Sequence, residues 1–275
     1  MSINKIKAQG LVLVGCGKMG SALLAGWLDS GVEAGSITVL EPAPAEWLLG
    51  LRAGGLGLNA ALPDRPAIAV IAVKPQVILD ALPRVQALGD GSTIFLSIAA
   101  GTPIAAFETA LGPQTPIIRA MPNTPAAVGH SITALIGNAR VDEEGMVLAE
   151  TLLQTVGQTV RLQNEAEMDG VTAVSGSGPA YVFHLIETLA AAGEEQGLPA
   201  ALAMKLALST VAGAGDLAEN ADQTPSELRV NVTSPGGTTA AALSVLMDQK
   251  TGLSPLLSRT VKAAAARSRE LGKTS

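Results

Sequence analysis

The stretch "LVLVGCGKMGSALLAGWLDSG" (residues 11–31) places a short apolar run directly before a glycine-rich turn and an apolar helix. Leu11–Val14 has the composition of a buried strand, and Gly15, Gly17 and Gly20 form the pattern G-x-G-x-x-G. In a strand–turn–helix unit the first glycine allows the tight turn, the second lets the backbone approach a pyrophosphate, and the third lets helix and strand pack closely. The stretch therefore predicts a dinucleotide-binding unit. A glycine-rich turn in some other α/β domain is the alternative.

A second strand, "SITVLE", ends at Glu41, which follows Gly20 by 21 residues. An acidic residue at this distance binds the adenosine ribose hydroxyls of NAD. Pro42 follows Glu41 and no arginine cluster lies beside it, which favours NAD over NADP, although either NADPH or NADH remains open as the cofactor. The alternative is that Glu41 points into solvent.

Strands and helices then alternate to about residue 163, which predicts a mostly parallel, doubly wound sheet of the Rossmann type. In such sheets ligands lie beyond the carboxyl ends of the strands. Those ends are "VKPQ" (73–76), "SIAAG" (97–101) and "MPNTP" (121–125). Lys74 is the only charge in the first of them, and a solvated surface lysine is its alternative interpretation. The predicted strands are 67–73, 92–98, 116–121, 131–136 and 159–162, with helices at 75–88, 103–111 and 142–156.

From Glu165 onward the pattern is helical. We therefore predict two domains: a dinucleotide-binding domain at 1–163 and an all-α domain at 164–275. Tyr181, Leu185 and Leu189 form a stripe at helical spacing, and further helices are predicted at 199–219, 225–231, 238–249 and 253–271. This helical half is apolar and carries few charges, which favours its burial against a second chain. A homodimer or larger assembly is therefore expected. His184 lies in this half and is interpreted as a packed or interface residue rather than a catalyst.

Two glycine-bearing loops interrupt the helical half: "SGSGPAY" (175–181) and "TSPGGTT" (233–239). Each precedes a helix. In the second, Ser234 or Thr238 is expected to cap the helix, and the amides from Gly236 to Thr239 are expected to lack intrahelical partners. Such a helix start binds a carboxylate or phosphate. Two ordinary helix connections are the alternative, but they need no pair of threonines.

Composition excludes several classes of function. The formal net charge is −6, the pI is near 5.0 and only 2% of the 275 residues are aromatic, so a nucleic-acid partner is not expected. Cys16 is the only cysteine, and two separated histidines form no metal-binding pattern. No uninterrupted apolar run approaches a membrane span. The four-residue run at Leu11–Val14 is too short for a signal peptide, so we expect a cytoplasmic protein without membrane or metal partners.

Six motifs give the chain a resemblance to a known family. They are "GCGKMGSA" (15–22), "AVKPQ" (72–76), "SIAAG" (97–101), "RAMPNTPA" (119–126), "EAEMDGVTAVSGSGPAYVF" (165–183) and "VTSPGGTTAAAL" (232–243). In this order they resemble the pyrroline-5-carboxylate reductases, and the last two are specific to that family rather than to the fold. The resemblance implies reduction of Δ1-pyrroline-5-carboxylate to L-proline with NADPH or NADH, the last step of proline synthesis. It also implies a Rossmann domain, a helical dimerisation domain and larger rings of dimers, with the partner's helical domain completing each site.

The resemblance also implies site residues. Its cofactor contacts fall on Gly15, Cys16, Gly17, Lys18, Met19, Gly20, Asn59, Ala72, Val73, Lys74, Pro75, Ile98, Ala99, Ala100 and Asn231, to which the spacing adds Glu41. Its substrate contacts fall on Glu165, Ser234, Gly236, Gly237, Thr238 and Thr239, with Thr239 nearest the imine nitrogen. Two departures stand out: Gly20 replaces a residue that is often alanine, and the residues after Glu41 lack the polar groups that commonly hold a 2′-phosphate.

Two classes of rival function remain: another imine or hydroxyacid reductase of the same two-domain plan, and a non-catalytic dinucleotide-binding protein. The hydroxyacid reductases that share the two-domain plan carry a catalytic lysine on the first helix of the helical domain, whereas "GPAYVFHLIETLAAAGEEQG" (178–197) contains none. Another imine reductase of this plan remains an alternative. A non-catalytic dinucleotide-binding protein would retain the first glycine loop but has no need of "SPGGTT".

Overall fold

The computed structural model describes residues 2–273. Its eight strands are β1 Leu11–Val14, β2 Ile37–Leu40, β3 Gly57–Leu58, β4 Ile68–Ile71, β5 Ile94–Ser97, β6 Ile117–Met121, β7 Ser131–Gly137 and β8 Gly157–Arg161. Its helices are α1 Ser2–Gln9, α2 Lys18–Asp29, α3 Glu46–Gly50, α4 Ile78–Ala81, α5 Ile104–Leu111, α6 Glu143–Leu153, α7 Met168–Val171, α8 Gly178–Glu195, α9 Ala200–Asn220, α10 Pro225–Asn231, α11 Thr238–Leu246 and α12 Leu253–Lys273.

All eight strands form one sheet in the order β3-β2-β1-β4-β5-β6-β7-β8. Every neighbouring pair is parallel except β6 and β7, which are antiparallel. From β1 the chain first builds outward to β2 and β3, and then returns to β4 on the other side of β1. This reversal leaves a crevice at the carboxyl ends of β1 and β4, where ligands of such sheets bind. The predicted Rossmann-type sheet followed by an all-α region is confirmed.

Apolar side chains cover both faces of the sheet. One core cluster joins the sheet to α1, α2, α3 and α6 and contains the fully buried Trp27. The other joins it to α4, α5 and the turns between them and contains Phe95 and Phe107. Because both faces are buried, β1, β4 and β5 are buried at every position rather than at alternate ones.

Most predicted strands and helices appear within a few residues of their expected bounds, but the helix predicted at 75–88 does not form. That segment is the four-residue helix α4 flanked by 3₁₀ turns, one of which contains Pro83. Proline removes an N–H donor and clashes with the preceding turn, which ends the helix. The sequence also missed α1 and the two-residue β3.

Two compact units emerge from the contacts. The first contains the residues up to Gly176 together with those from Ala264 onward, and the second spans Ser177–Ala263. The predicted domain boundary at 163/164 therefore lies before the boundary between these two units, which follows Gly176. Two bonds tie later segments to the sheet unit: Asn123 Nδ2 donates to Ser175 Oγ at 3.2 Å, and Ser268 Oγ donates to Asp169 Oδ1 at 2.6 Å.

The second unit is helical and carries little core of its own. Its buried cluster comprises Ala190, Ala203 and Ala207, with Ile186 packed against them between α8 and α9. Large apolar side chains on its surface include Phe183, which is 58% exposed. Within the described residues α9 is long and apolar enough to cross a membrane, with mean hydropathy 1.2 and 11% burial over its best 18-residue window. A search for uninterrupted apolar runs overlooks α9 because Lys205 lies within it.

Candidate functional site

The glycine loop between β1 and α2 has the geometry expected from its sequence. Gly15 has φ +88°, which L side chains rarely adopt, and a Cβ there would lie 2.7 Å from Val73 Cγ1. A Cβ on Gly20 would collide with the Gly15 carbonyl oxygen, so the close approach of helix and strand needs this glycine. At Gly17 a Cβ would meet no atom of the described chain within 4 Å. Packing within the described chain does not require glycine there, and the open space would allow a ligand to approach the backbone closely.

The N-terminus of α2 is open to an anion. Its N-cap residue is Gly17, which supplies no side-chain cap, so the first amides of the helix keep their partial positive charge. The nearby hydroxyl of Ser21 donates instead to the Cys16 carbonyl oxygen at 2.9 Å. A cavity of about 380 Å³ lies beside this helix end, and its lining includes Gly15, Gly17 and Lys74. These features fit the pyrophosphate of a dinucleotide.

Glu41 lines the same cavity and its carboxylate is fixed by two backbone amides. Oε2 accepts from Cys16 N at 2.7 Å, and Oε1 accepts from Ala43 N at 3.0 Å. Asn59 clamps the Glu41 backbone: its Oδ1 accepts from Glu41 N at 3.0 Å, and its Nδ2 donates to the Glu41 carbonyl at 2.8 Å. Glu41 therefore does not extend freely into solvent. Through these two bonds Asn59 holds the backbone at the end of β2.

The remaining predicted cofactor residues of the sheet unit lie at neighbouring strand ends. Ala72, Val73 and the exposed Lys74 follow β4 and line the cavity, and Pro75 opens the next turn. Ile98–Ala100 follows β5; Ile98 and Ala99 are buried and Ala100 is partly exposed. The Ala99 amide donates to Ser97 Oγ at 3.3 Å. Arg84 and Asp80 also line the cavity and were not singled out from sequence. Asn231 belongs to the helical unit, where its Nδ2 donates to Gln223 Oε1 at 3.2 Å.

Cys16 is a buried, free thiol within the glycine loop. Burial raises its pKa above the ordinary cysteine value, the Ser21 hydroxyl 3.6 Å from its sulfur opposes that shift, and the Glu41 carboxylate reinforces it. The thiol is therefore protonated near neutral pH and a poor nucleophile. Cys16 contributes its backbone amide and its volume to the loop rather than covalent chemistry.

The "TSPGGTT" loop has a different hydrogen-bond pattern from the one predicted. Helix α11 begins at Thr238 with Gly237 as its N-cap, and no side chain caps it, so the expected capping by Ser234 or Thr238 is wrong. The Gly237 amide is not free, because it donates to the Ser234 carbonyl at 3.0 Å in a tight turn. Gly236 permits this turn with φ +70°, and a Cβ on Gly237 would lie 2.5 Å from Ser234 Oγ. The glycines thus keep side chains away from the helix end.

Three hydroxyls of this loop remain available. Ser234, Thr238 and Thr239 make no side-chain hydrogen bond within the part of the chain that the structure describes. The first amides of α11 likewise have no intrahelical acceptor. The loop therefore offers donors at a positive helix end, which suits a carboxylate.

Glu165, the remaining predicted substrate residue, lies in the sheet unit and is firmly held. Its Oε1 accepts from Arg119 Nη1 at 2.7 Å and from the Ile104 amide at 2.9 Å. The motif "RAMPNTPA" contains Arg119 and Asn123, but nothing in the sequence assigns a role to either residue. Arg119 and its partner Glu165 are 46 positions apart, and a single sequence gives no indication that they are paired.

The uncapped start of α2 lies beside a cavity that could hold a dinucleotide. Comparison with known proteins identifies the family of the chain. The pyrroline-5-carboxylate reductase of Pseudomonas aeruginosa is 37% identical over 96% of this chain and 97% of its own length. The chain belongs to the pyrroline-5-carboxylate reductase family. The corresponding enzyme of Synechocystis sp. is 44% identical over 75% of each chain. A family model described as pyrroline-5-carboxylate reductase dimerisation matches residues 165–271.

Solved structures of pyrroline-5-carboxylate reductases have the same fold. The Coxiella burnetii enzyme matches with a TM-score of 0.87 at 32% identity, covering 96% of this chain and 98% of that one. The Plasmodium falciparum enzyme, solved with NADP bound, matches with a TM-score of 0.81 at 29% identity over the same shares. Pyrroline-5-carboxylate reductases are oxidoreductases that reduce pyrroline-5-carboxylate to proline, and no finding favours the hydroxyacid or non-catalytic alternatives.

Proposed function

We propose that this chain reduces Δ1-pyrroline-5-carboxylate to L-proline with NADH or NADPH, and that the residues predicted from sequence form its site. The observation that carries the proposal is the open space at Gly17, beside the uncapped start of α2, in a chain of this family. The cofactor would lie on Gly15–Gly20, Glu41 and Asn59, on Ala72–Pro75, and on Ile98–Ala100, with Asn231 as a further contact. When bound, it supplies the hydride that adds to the ring carbon of the C=N bond.

The substrate would be held by donors and charges of two protomers, because the helical domain of the partner is expected to complete each site. Its carboxylate would bind the α11 amides at Thr238 and Thr239. Ser234, Gly236 and Gly237 would form the loop around it. The Thr239 hydroxyl would bond the ring nitrogen, and the Glu165 carboxylate would attract that nitrogen when it is protonated. A protonated imine is already an electrophile, so the protein contributes position rather than a general base.

The active form would be a homodimer or a larger ring of dimers. Support comes from the dimerisation model over residues 165–271 and from the exposed apolar side chains of the helical unit, which need cover. Burial of α9 in the interface between protomers would account for its apolar composition without a membrane. We place the protein in the cytoplasm and propose no nucleic-acid, membrane or metal partner. Sedimentation of the purified protein as a monomer at assay concentration would contradict the proposed assembly.

The reaction is tested by mixing purified protein with pyrroline-5-carboxylate and either reduced cofactor, and following the loss of cofactor absorbance. Loss is expected, and no loss with either cofactor would overturn the function. Thr239→Val keeps the side-chain shape and removes the hydroxyl, so kcat/KM should fall by the equivalent of about 1–3 kcal/mol. Thr260→Val on α12 is the matched control, since that hydroxyl bonds only its own helix. Unchanged kcat/KM in Thr239→Val would remove the role given to that hydroxyl.

A further inference from the structure

A buried ion pair joins the sheet to the segment that follows it. Arg119 lies on β6 with 7% of its side chain exposed, and its Nη1 is 2.7 Å from Oε1 of Glu165. Glu165 is the only partner of this guanidinium among the described residues. A buried charge with a single partner depends on that partner remaining in place.

The position of Arg119 follows from the alternation of side chains along β6. Ile117 and Arg119 lie on the same face of the strand, and Ile117 belongs to the core cluster that includes Ile104 and Phe107 of α5. Arg119 is in register with Ser97 on β5, directly before the Ile98–Ala100 segment. An arginine on this apolar face near the carboxyl end of its strand is costly to bury. Its location at the ligand-binding edge of the sheet points to function.

The two carboxylate oxygens of Glu165 are used unequally. Oε1 accepts both from Arg119 Nη1 and from the amide of Ile104, the first residue of α5. Oε2 makes no hydrogen bond within the described part of the chain, and one third of the side chain remains exposed. One oxygen is therefore anchored by two donors, while the other is left for a group from outside the chain.

We propose that Arg119 is a positioning residue: it anchors Oε1 of Glu165 so that Oε2 and the carboxylate charge are presented to the protonated ring nitrogen of the substrate. The inference rests on the proposed function, because it takes Glu165 as a substrate contact. Charge-assisted hydrogen bonds are short and directional, so the guanidinium restricts the carboxylate far more than a solvated glutamate would be restricted.

A purely structural role for the Arg119–Glu165 ion pair predicts a different result. If the pair only fastened the segment after β8 to the sheet, loss of Arg119 would lower stability and the active fraction, leaving both KM values unchanged. If Arg119 acts through Glu165, its loss weakens substrate binding specifically. In that case removing the charge of Glu165 first makes the loss of Arg119 nearly silent.

The experiment is a double-mutant cycle with Arg119→Met, Glu165→Gln and the double variant, measured as kcat, as KM for each substrate and as Tm. Glu165→Gln keeps an acceptor oxygen for Arg119 and removes the charge. We expect Arg119→Met to raise the KM for pyrroline-5-carboxylate about tenfold or more. The KM for NADH should change less than about twofold, and the same substitution should add little in the Glu165→Gln background. Arg119→Lys, which keeps the charge with a different reach, should fall between wild type and Arg119→Met.

Arg161→Met is the matched control, because Arg161 pairs with Glu143 and Glu150 on the surface, and its KM values should equal those of the wild type. Equal shifts in the KM for both substrates, or full additivity in the double variant, would overturn the positioning role. If Arg119→Met does not fold, the same cycle with Arg119→Lys gives the decision. A wild-type protein that consumes neither cofactor overturns the proposed function and this inference together, whereas an active wild type without coupling overturns the inference alone.

Discussion

Replacing Glu41 should change which cofactor the protein prefers. Its carboxylate lines the cavity and is held against the glycine loop by the Cys16 and Ala43 amides. In that position it can accept from the ribose hydroxyls of NADH, and it repels the 2′-phosphate of NADPH. It also occupies the Ala43 amide, while Pro42 and Pro44 offer no N–H. We therefore expect the wild type to prefer NADH.

The size of the effect follows from two contributions. Hydrogen bonds to a charged group contribute about 1.5–3 kcal/mol when made. Two unit charges about 5 Å apart repel by about 3 kcal/mol at an effective dielectric constant of 20. Because Glu41 is partly exposed, solvent reduces this to about 1 kcal/mol. Together, at about 2.5–4 kcal/mol, they predict that Glu41→Gln changes the ratio of kcat/KM for NADH to that for NADPH by about 70- to 900-fold toward NADPH.

The assay is steady-state kinetics of wild type and Glu41→Gln with each cofactor at saturating pyrroline-5-carboxylate and fixed ionic strength. Glu46→Gln is the matched control, since it removes the same charge from the exposed start of α3. Its cofactor ratio should equal that of the wild type. A wild type that prefers NADPH, or a ratio unmoved by Glu41→Gln, would refute the reasoning. Either result would mean that Lys74 and Arg84, which line the same cavity, outweigh Glu41.

Two further predictions concern the sheet unit. Ser268→Ala removes the hydroxyl that donates to Asp169 Oδ1 at 2.6 Å, so the free energy of unfolding measured in urea should fall by about 1–2 kcal/mol. The control Ser258→Ala, at an exposed position, should lower it by less than about 0.5 kcal/mol. Equal losses would show that the Ser268–Asp169 contact does not stabilise the fold. Because burial raises the Cys16 pKa, iodoacetamide should alkylate the folded protein slowly near neutral pH and faster as pH rises toward that raised pKa. Bound NADH should slow alkylation further, and a rate equal to that of a free thiol at neutral pH would contradict the burial of Cys16.

Local features of the chain were predictable because their causes are local. The G-x-G-x-x-G spacing, the apolar strand before it and the helix after it arise within about twenty residues. The structure confirms Gly15 at positive φ and Gly20 against the Gly15 carbonyl. Pro225 at the start of α10 and Pro179 at the start of α8 likewise occupy first-turn positions that proline favours. The helix predicted at 75–88 from its apolar spacing does not form, because Pro83 interrupts the segment.

Contacts between distant residues were decided by the tertiary structure. Arg119 and Glu165 are 46 positions apart, and no spacing in one sequence indicates that they meet. The spacing placed Glu41 near the glycine loop, but it did not indicate the bond to the Cys16 amide, 25 positions away. The end of α12 packs against Gly101, where a Cβ would lie 3.0 Å from Leu271 Cβ, although α12 reads as an ordinary terminal helix.

The sequence by itself thus determined the fold class, the glycine loop and the family motifs, because periodicity and turn chemistry act over a few residues. Only the tertiary structure showed that Glu165 has one anchored oxygen and that Glu41 is fixed against the loop. It also showed that Gly237, which has no side chain, rather than a hydroxyl residue is the N-cap of α11. Each of these depends on which atoms the folded backbone brings within about 3 Å, the range over which hydrogen bonds form.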